Sequence, residues 1–131
     1  MGDNGVAIEV VEIPAGWFWM GTNRGRLQEA GLEWSANHEN EMPYHRVYLQ
    51  DYCIAKHPVT NAQFQEFIQG GAYEDAALWT AAGWRWKQTV RRIQPPYMGD
   101  DRYFAPSQPV IGVSWYEAVA FCSWLGTTSG R

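Results

Sequence analysis

Apolar residues recur along this chain in short blocks with two different periods. Residues 6–13 are rich in β-branched side chains, with charge only at Glu9 and Glu12, and predict a strand that Pro14-Ala15-Gly16 ends as a turn. Trp17-Phe18-Trp19-Met20, closed by Gly21, predicts a second short strand packed back on the first. Periodicity is then lost over residues 22–43. About twenty polar, glycine-containing residues is long for an ordinary connection and points to a functional or ion-stabilised loop. Alternation returns at His45, where Val47 and Leu49 interleave with Arg46, Tyr48 and Gln50, predicting a half-buried strand to about Ile54.

Two helices announce themselves by their caps. Thr60 with Gln63 forms a capping box, and Val59 with Phe64 a hydrophobic staple. Phe64, Phe67 and Ile68 share one face, and Gly70-Gly71 ends the helix. Ser114 with Glu117 repeats the capping box, with Val113 and Ala118 as the staple. Trp115, Ala118, Cys122 and Leu125 then recur at helical spacing beside Phe121, and Gly126 is the expected stop. Residues 109–113 predict a short apolar strand feeding that cap. Residues 74–82 predict a short helix ended by Gly83, and Pro95-Pro96 and Pro106 force extended loop. There is no internal repeat.

Composition narrows the class. The chain has 131 residues, 46% hydrophobic, 18% charged and 15% aromatic, which suits a single folded domain, or part of one, and not a disordered segment. Eight tryptophans, seven tyrosines and five phenylalanines supply rigid bulk for a core or a recognition surface. A formal charge of −4 argues against nucleic acid as a partner. Apolar runs are too short to span a membrane, and the first residues lack a secretion signal and, with Val6, the myristoylation pattern. Two cysteines without close spacing exclude a metal knuckle and a disulfide-dense scaffold, so a cytoplasmic protein is expected.

Candidate chemistry is sparse. Cys53 and Cys122 read chiefly as small buried hydrophobes, with a structural disulfide as the rival reading and copper ligation the least favoured. His38-Glu39-Asn40-Glu41 with His45 resembles a metal cluster on paper, but adjacent residues on extended chain point apart, which favours a solvated acidic loop. His57, before Pro58 in a turn, reads as structural. Trp79, Trp84, Arg85 and Trp86, with Lys87, Arg91 and Arg92, form the candidate ligand or partner surface. Aromatic rings beside cations can bind peptides, sugars or bases, and the alternative is that they fill a loop-rich core.

Four blocks in order resemble the sulfatase-modifying-factor family, which includes the formylglycine-generating enzymes. They are Ile13-Pro14-Ala15-Gly16-Trp17-Phe18-Trp19-Met20-Gly21, Glu41-Met42-Pro43-Tyr44-His45-Arg46-Val47, Val59-Thr60-Asn61-Ala62-Gln63-Phe64, and Gln108 through Ala118. The resemblance implies an α+β, C-type-lectin-like fold, loop-rich, with short antiparallel strands and two main helices. It implies that residues 1–131 are a single partial domain, the N-terminal portion of the family's domain, with its Arg-Leu-Pro-Thr-Glu block expected where this sequence stops.

The family's copper-dependent oxidases convert a substrate cysteine to formylglycine with two cysteines near the domain's C-terminal end. Neither Cys53 nor Cys122 matches them, so no catalytic, cofactor-binding or metal-binding residue is carried over, and copper is expected only in a complete relative. A related branch forms carbon–sulfur bonds with iron held by another domain, and some lectin-like relatives are variable ligand-display proteins. The expectation is a domain fragment that is non-catalytic alone and serves as a binding module or part of a larger chain. Its expected partners are the family's C-terminal half, a second copy of the chain, or a peptide or protein ligand. A formylglycine-generating oxidoreductase completed by that half, and a ligand-display protein, are the alternatives.

Overall fold

A computed structural model describes residues 7–129, so Val6 and the Gly130-Arg131 end of the polar tail lie outside the described residues. The result is a small α+β arrangement of short strands and several helices, divided into two compact units. One is Val10–Ile54; the other joins residues 7–9 to residues 55–129.

Along residues 10–55, β1 (Val10–Ile13) pairs with β4 (Tyr52–Ala55), and β2 (Gly16–Met20) pairs antiparallel with β3 (His45–Leu49). The second strand therefore does not pair back on the first. A tight two-residue reversal needs residues at positive φ, which Pro14 and Ala15 do not adopt, so the chain runs on to another partner. The expected single strand over residues 45–54 breaks at Gln50-Asp51, where pairing changes from β2 to β1.

The stretch read as one long loop holds two helical turns. Asn23 caps α1 (Arg24–Glu29), its side-chain oxygen accepting from Arg26 N at 2.9 Å, and a 3₁₀ turn covers Ala36–Glu41. Thr22 N–H donates to the Glu41 carbonyl at 2.8 Å and closes the loop at its base. Gly21 makes that closure fit. Its φ is +85°, and an added Cβ would run into the carbonyl oxygens of Glu41 and Pro43.

The other unit is built on α2 (Asn61–Gln69), α3 (Ala81–Val90) and α4 (Trp115–Ser129). The capping box of α2 forms as read: Gln63 N–H donates to Thr60 Oγ1 at 3.2 Å, and Thr60 N–H to Gln63 Oε1 at 2.9 Å. Its buried face carries Phe64 and Phe67 into a core with Tyr73, Trp79, Ala120 and Phe121. The Phe64 and Phe121 rings stack at 5.4 Å, and Phe67 meets Tyr73 and Phe121 edge-on at 5.5 Å. Burying each such ring stabilises the fold by about 1.5–3 kcal/mol. Asn61 is buried at the start of α2 and donates to the carbonyls of Tyr103 and Ala105 at 2.8 and 2.9 Å, pinning a proline-rich loop to the helix.

Three sequence expectations change here. Residues 109–113 make no strand; one bridge joins Thr60 to Pro109, and Val110 N–H donates to the Val59 carbonyl. Gly83 does not end a helix over residues 74–82 but sits in the first turn of α3, where a Cβ would meet Tyr116 side-chain atoms at 3.1 Å, so this glycine lets α3 approach α4. Gly126 does not stop α4, which continues to Ser129. The two helices the caps announced are present, and α1 and α3 join them among the described residues.

Candidate functional site

The capping box of α4 leads into the core. Ser114 N–H donates to Glu117 Oε1 at 3.0 Å and Glu117 N–H to Ser114 Oγ at 3.2 Å. The Glu117 side chain is 0% exposed. Its Oε2 accepts the Tyr73 hydroxyl at 2.5 Å, while Arg92 Nη1 stands 3.7 Å from Oε1. That nitrogen is buried without a hydrogen-bond partner among the described residues. Burial, and then the hydrogen bond to Glu117, push the Tyr73 phenol far above its ordinary value. A Tyr–Glu–Arg cluster with its carboxylate fully engaged holds structure; it ties the start of α4 to the segment after α2 and the end of α3.

This cluster explains the orientation of α4. The helix is apolar on almost every side, so spacing alone cannot choose the buried face. The satisfied Glu117 turns inward with Ala120 and Phe121, and Tyr116 and Trp124 pack beside them. The stripe expected inside is left largely outside: Trp115 is 69% exposed, Ala118 and Cys122 are exposed, and of that stripe only Leu125 packs on the core. Cys122 is therefore not an inward-facing thiol. Both cysteines are free and exposed, which corrects the buried reading.

The candidate surface of Trp79 and α3 is mostly part of the core and its shell. Trp79 is buried, its Nε1 donating to the Ala72 carbonyl at 2.9 Å and its ring edge-on to Tyr73. Trp84 and Trp86 are half-buried against the same cluster, under Lys87 and Arg92 respectively. Arg85 is exposed. The rings are together, but they face inward more than outward.

His38 and His45 are bound locally. Ser35 N–H donates to His38 Nδ1 at 3.0 Å, which places the His38 proton on Nε2, and His45 Nδ1 lies 2.5 Å from the Pro43 carbonyl. Among the described residues no three His, Cys, Asp or Glu side chains converge as metal ligands. No helix among the described residues is long and apolar enough to cross a membrane.

Sequence reasoning missed the most exposed aromatic array, on β2 and β3. Register places Trp17 opposite Tyr48 and Trp19 opposite Arg46 on one face of the ribbon. Trp17 and Trp19 are 62% and 56% exposed. The Arg46 guanidinium lies over both rings, 5.2 and 5.9 Å from their centroids. Tyr48 meets Trp17 edge-on at 5.4 Å, and Tyr44 stacks on Trp19 at 4.7 Å with Arg26 above it. The shared parity of Trp17 and Trp19 was visible in the sequence. The pairing with β3 was not.

Residues 3–128 match the family described as sulfatase-modifying factor enzyme 1-like domain. A hercynine oxygenase of Mycolicibacterium smegmatis is 30% identical over 134 residues, covering 95% of this chain and 30% of that protein. A formylglycine-generating enzyme of Mycobacterium tuberculosis is 36% identical over 151 residues, covering 90% of this chain and 46% of that protein. An inactive C-alpha-formylglycine-generating enzyme 2 of Bos taurus is 28% identical over 151 residues, covering 94% and 46%. The chain thus spans less than half the length of these relatives.

Proposed function

This chain belongs to the sulfatase-modifying factor enzyme 1-like domain family, and from that premise we propose that it is a non-catalytic portion of such a domain that works by binding other polypeptide. The observation carrying this reading is the doubly apolar α4. One face fills the core, while Trp115, Ala118 and Cys122 present a second apolar stripe to solvent. Exposed stripes of this kind mark contact surfaces. Further family sequence is its proposed cover, and a second copy of this chain is the substitute when that is lacking. Two free thiols suit a reducing, cytoplasmic setting.

A second reading, an oxidoreductase of the formylglycine-generating type once completed, draws on the 36% identity to the mycobacterial enzyme. Sedimentation of the chain alone and of Trp115→Asp separates the possibilities, with oxidation of a cysteine peptide in the presence of copper as the activity control. The wild-type chain is expected to self-associate without oxidising the peptide, and the variant to stay monomeric. A wild-type chain that is monomeric at high concentration overturns the binding reading of α4. Turnover by the chain alone overturns the non-catalytic one.

A further inference from the structure

The Arg46 face differs from the α4 stripe in chemistry and stands independently of the proposal above. Val10–Ile54 contains three arginines and six carboxylates, so Arg46 has potential partners close in sequence. Nonetheless, among the described residues its guanidinium makes no ion pair and no hydrogen bond, and its contacts are the two indole faces. Arg26, on the same array, does pair with Glu29 at 3.6 Å.

A guanidinium held over ring faces and without an ion pair keeps N–H donors free to meet one carboxylate in a two-point fork. The surrounding excess of carboxylates repels a polyanion, so the matching ligand carries an isolated negative charge. The sheet supplies the geometry: β2 and β3 form a two-stranded ribbon, so among the described residues each strand has one edge that no further strand pairs, the kind of edge an extended chain can join.

We propose that the β2–β3 face formed by Trp17, Trp19, Arg46 and Tyr48 docks an extended peptide bearing a single carboxylate. Arg46 takes the carboxylate in a two-point pair, and the neighbouring Trp17–Tyr48 pair covers the side chain next to it. Aromatic and arginine anchors of this kind dominate peptide and protein interfaces.

Calorimetric titration of the full chain tests this with a blocked heptapeptide of alternating threonine and tyrosine and one central glutamate. A twin carrying glutamine in its place is the control. Saturable binding is expected for the glutamate peptide. It should fall about tenfold or more with the glutamine twin, or in Arg46→Ala, as charge-assisted pairs predict. Arg46→Lys should bind at an intermediate level, since it keeps the charge and loses the fork. Arg24→Ala, another exposed arginine stacked on a ring, should leave affinity unchanged. Any of three results overturns the proposal: no saturable heat up to about 1 mM peptide, equal affinity for both peptides, or undiminished binding by Arg46→Ala with its near-ultraviolet circular dichroism intact. Tighter binding of a single-stranded oligonucleotide than of the glutamate peptide overturns the choice of a peptide.

Discussion

Replacing Glu117 by alanine removes the carboxylate on which the α4 end of the core converges. Three losses follow together. The Ser114 N–H loses its acceptor in the capping box, worth about 1 kcal/mol. The Tyr73 hydroxyl loses a charged acceptor at 2.5 Å, worth about 1.5–3 kcal/mol. Arg92 Nη1, already without a hydrogen bond, loses its only nearby anion among the described residues. Removing one member of a buried ionic cluster costs about 3–5 kcal/mol in total, because desolvation of the remaining groups is no longer offset. That is a large share of the about 5–15 kcal/mol that holds a domain together. Urea unfolding followed by circular dichroism should show the midpoint falling sharply at unchanged slope. Tyr73→Phe alone should cost about 1.5–3 kcal/mol, and close to nothing when Glu117 is already alanine. A Glu117→Ala loss under about 1 kcal/mol, or an equal Tyr73→Phe cost in both backgrounds, would refute the account of this cluster as the tie between α4 and the core.

Three further outcomes follow from the same structure. Gly21→Ala should destabilise the Val10–Ile54 unit by more than about 1 kcal/mol, because the new methyl meets two carbonyl oxygens at a positive φ; hydrogen exchange at Thr22 N–H should accelerate. Tyr73 should stay protonated well beyond the ordinary tyrosine range near 10. Since its folded value is raised, its contribution to stability is complete below the unfolded value and lost as pH rises past it. Ultraviolet titration should therefore show one of the seven tyrosines ionising only on alkaline unfolding. Cys53 and Cys122 should both react with a thiol reagent in the native protein, before any unfolding; a thiol that reacts only in denaturant would contradict its exposed position.

The legible parts of this sequence were those settled within a few residues. Thr60 with Gln63 and Ser114 with Glu117 declare helix starts, because a capping box closes within one turn and needs no tertiary partner. The ordered blocks also declared the family, and its match over residues 3–128 agrees. What could not be read were choices between partners equally acceptable to local chemistry. β2 could pair with β1 or β3, and a reversal at Pro14-Ala15 was decided by backbone angles that no apolar pattern records. Gly83 and Gly126 looked like helix stops, since a glycine needed for close packing or tolerated in mid-helix has the same letter as one that ends a helix.

The same division governs the surfaces. A surplus of aromatic residues is a property of the sequence, but which rings meet solvent depends on what each element packs against. Trp79, Trp84 and Trp86 cluster in sequence, yet they surround the Phe64–Phe67–Phe121 core. Trp17 and Trp19, read as part of a strand packed back on the first, stand in the open on the face that register gives them with Arg46 and Tyr48. In α4 the sequence determined that a helix begins at Ser114. Only tertiary structure determined which way it faces, because burying Glu117 against Tyr73 and Arg92 satisfies a charge that would otherwise have kept that side in water.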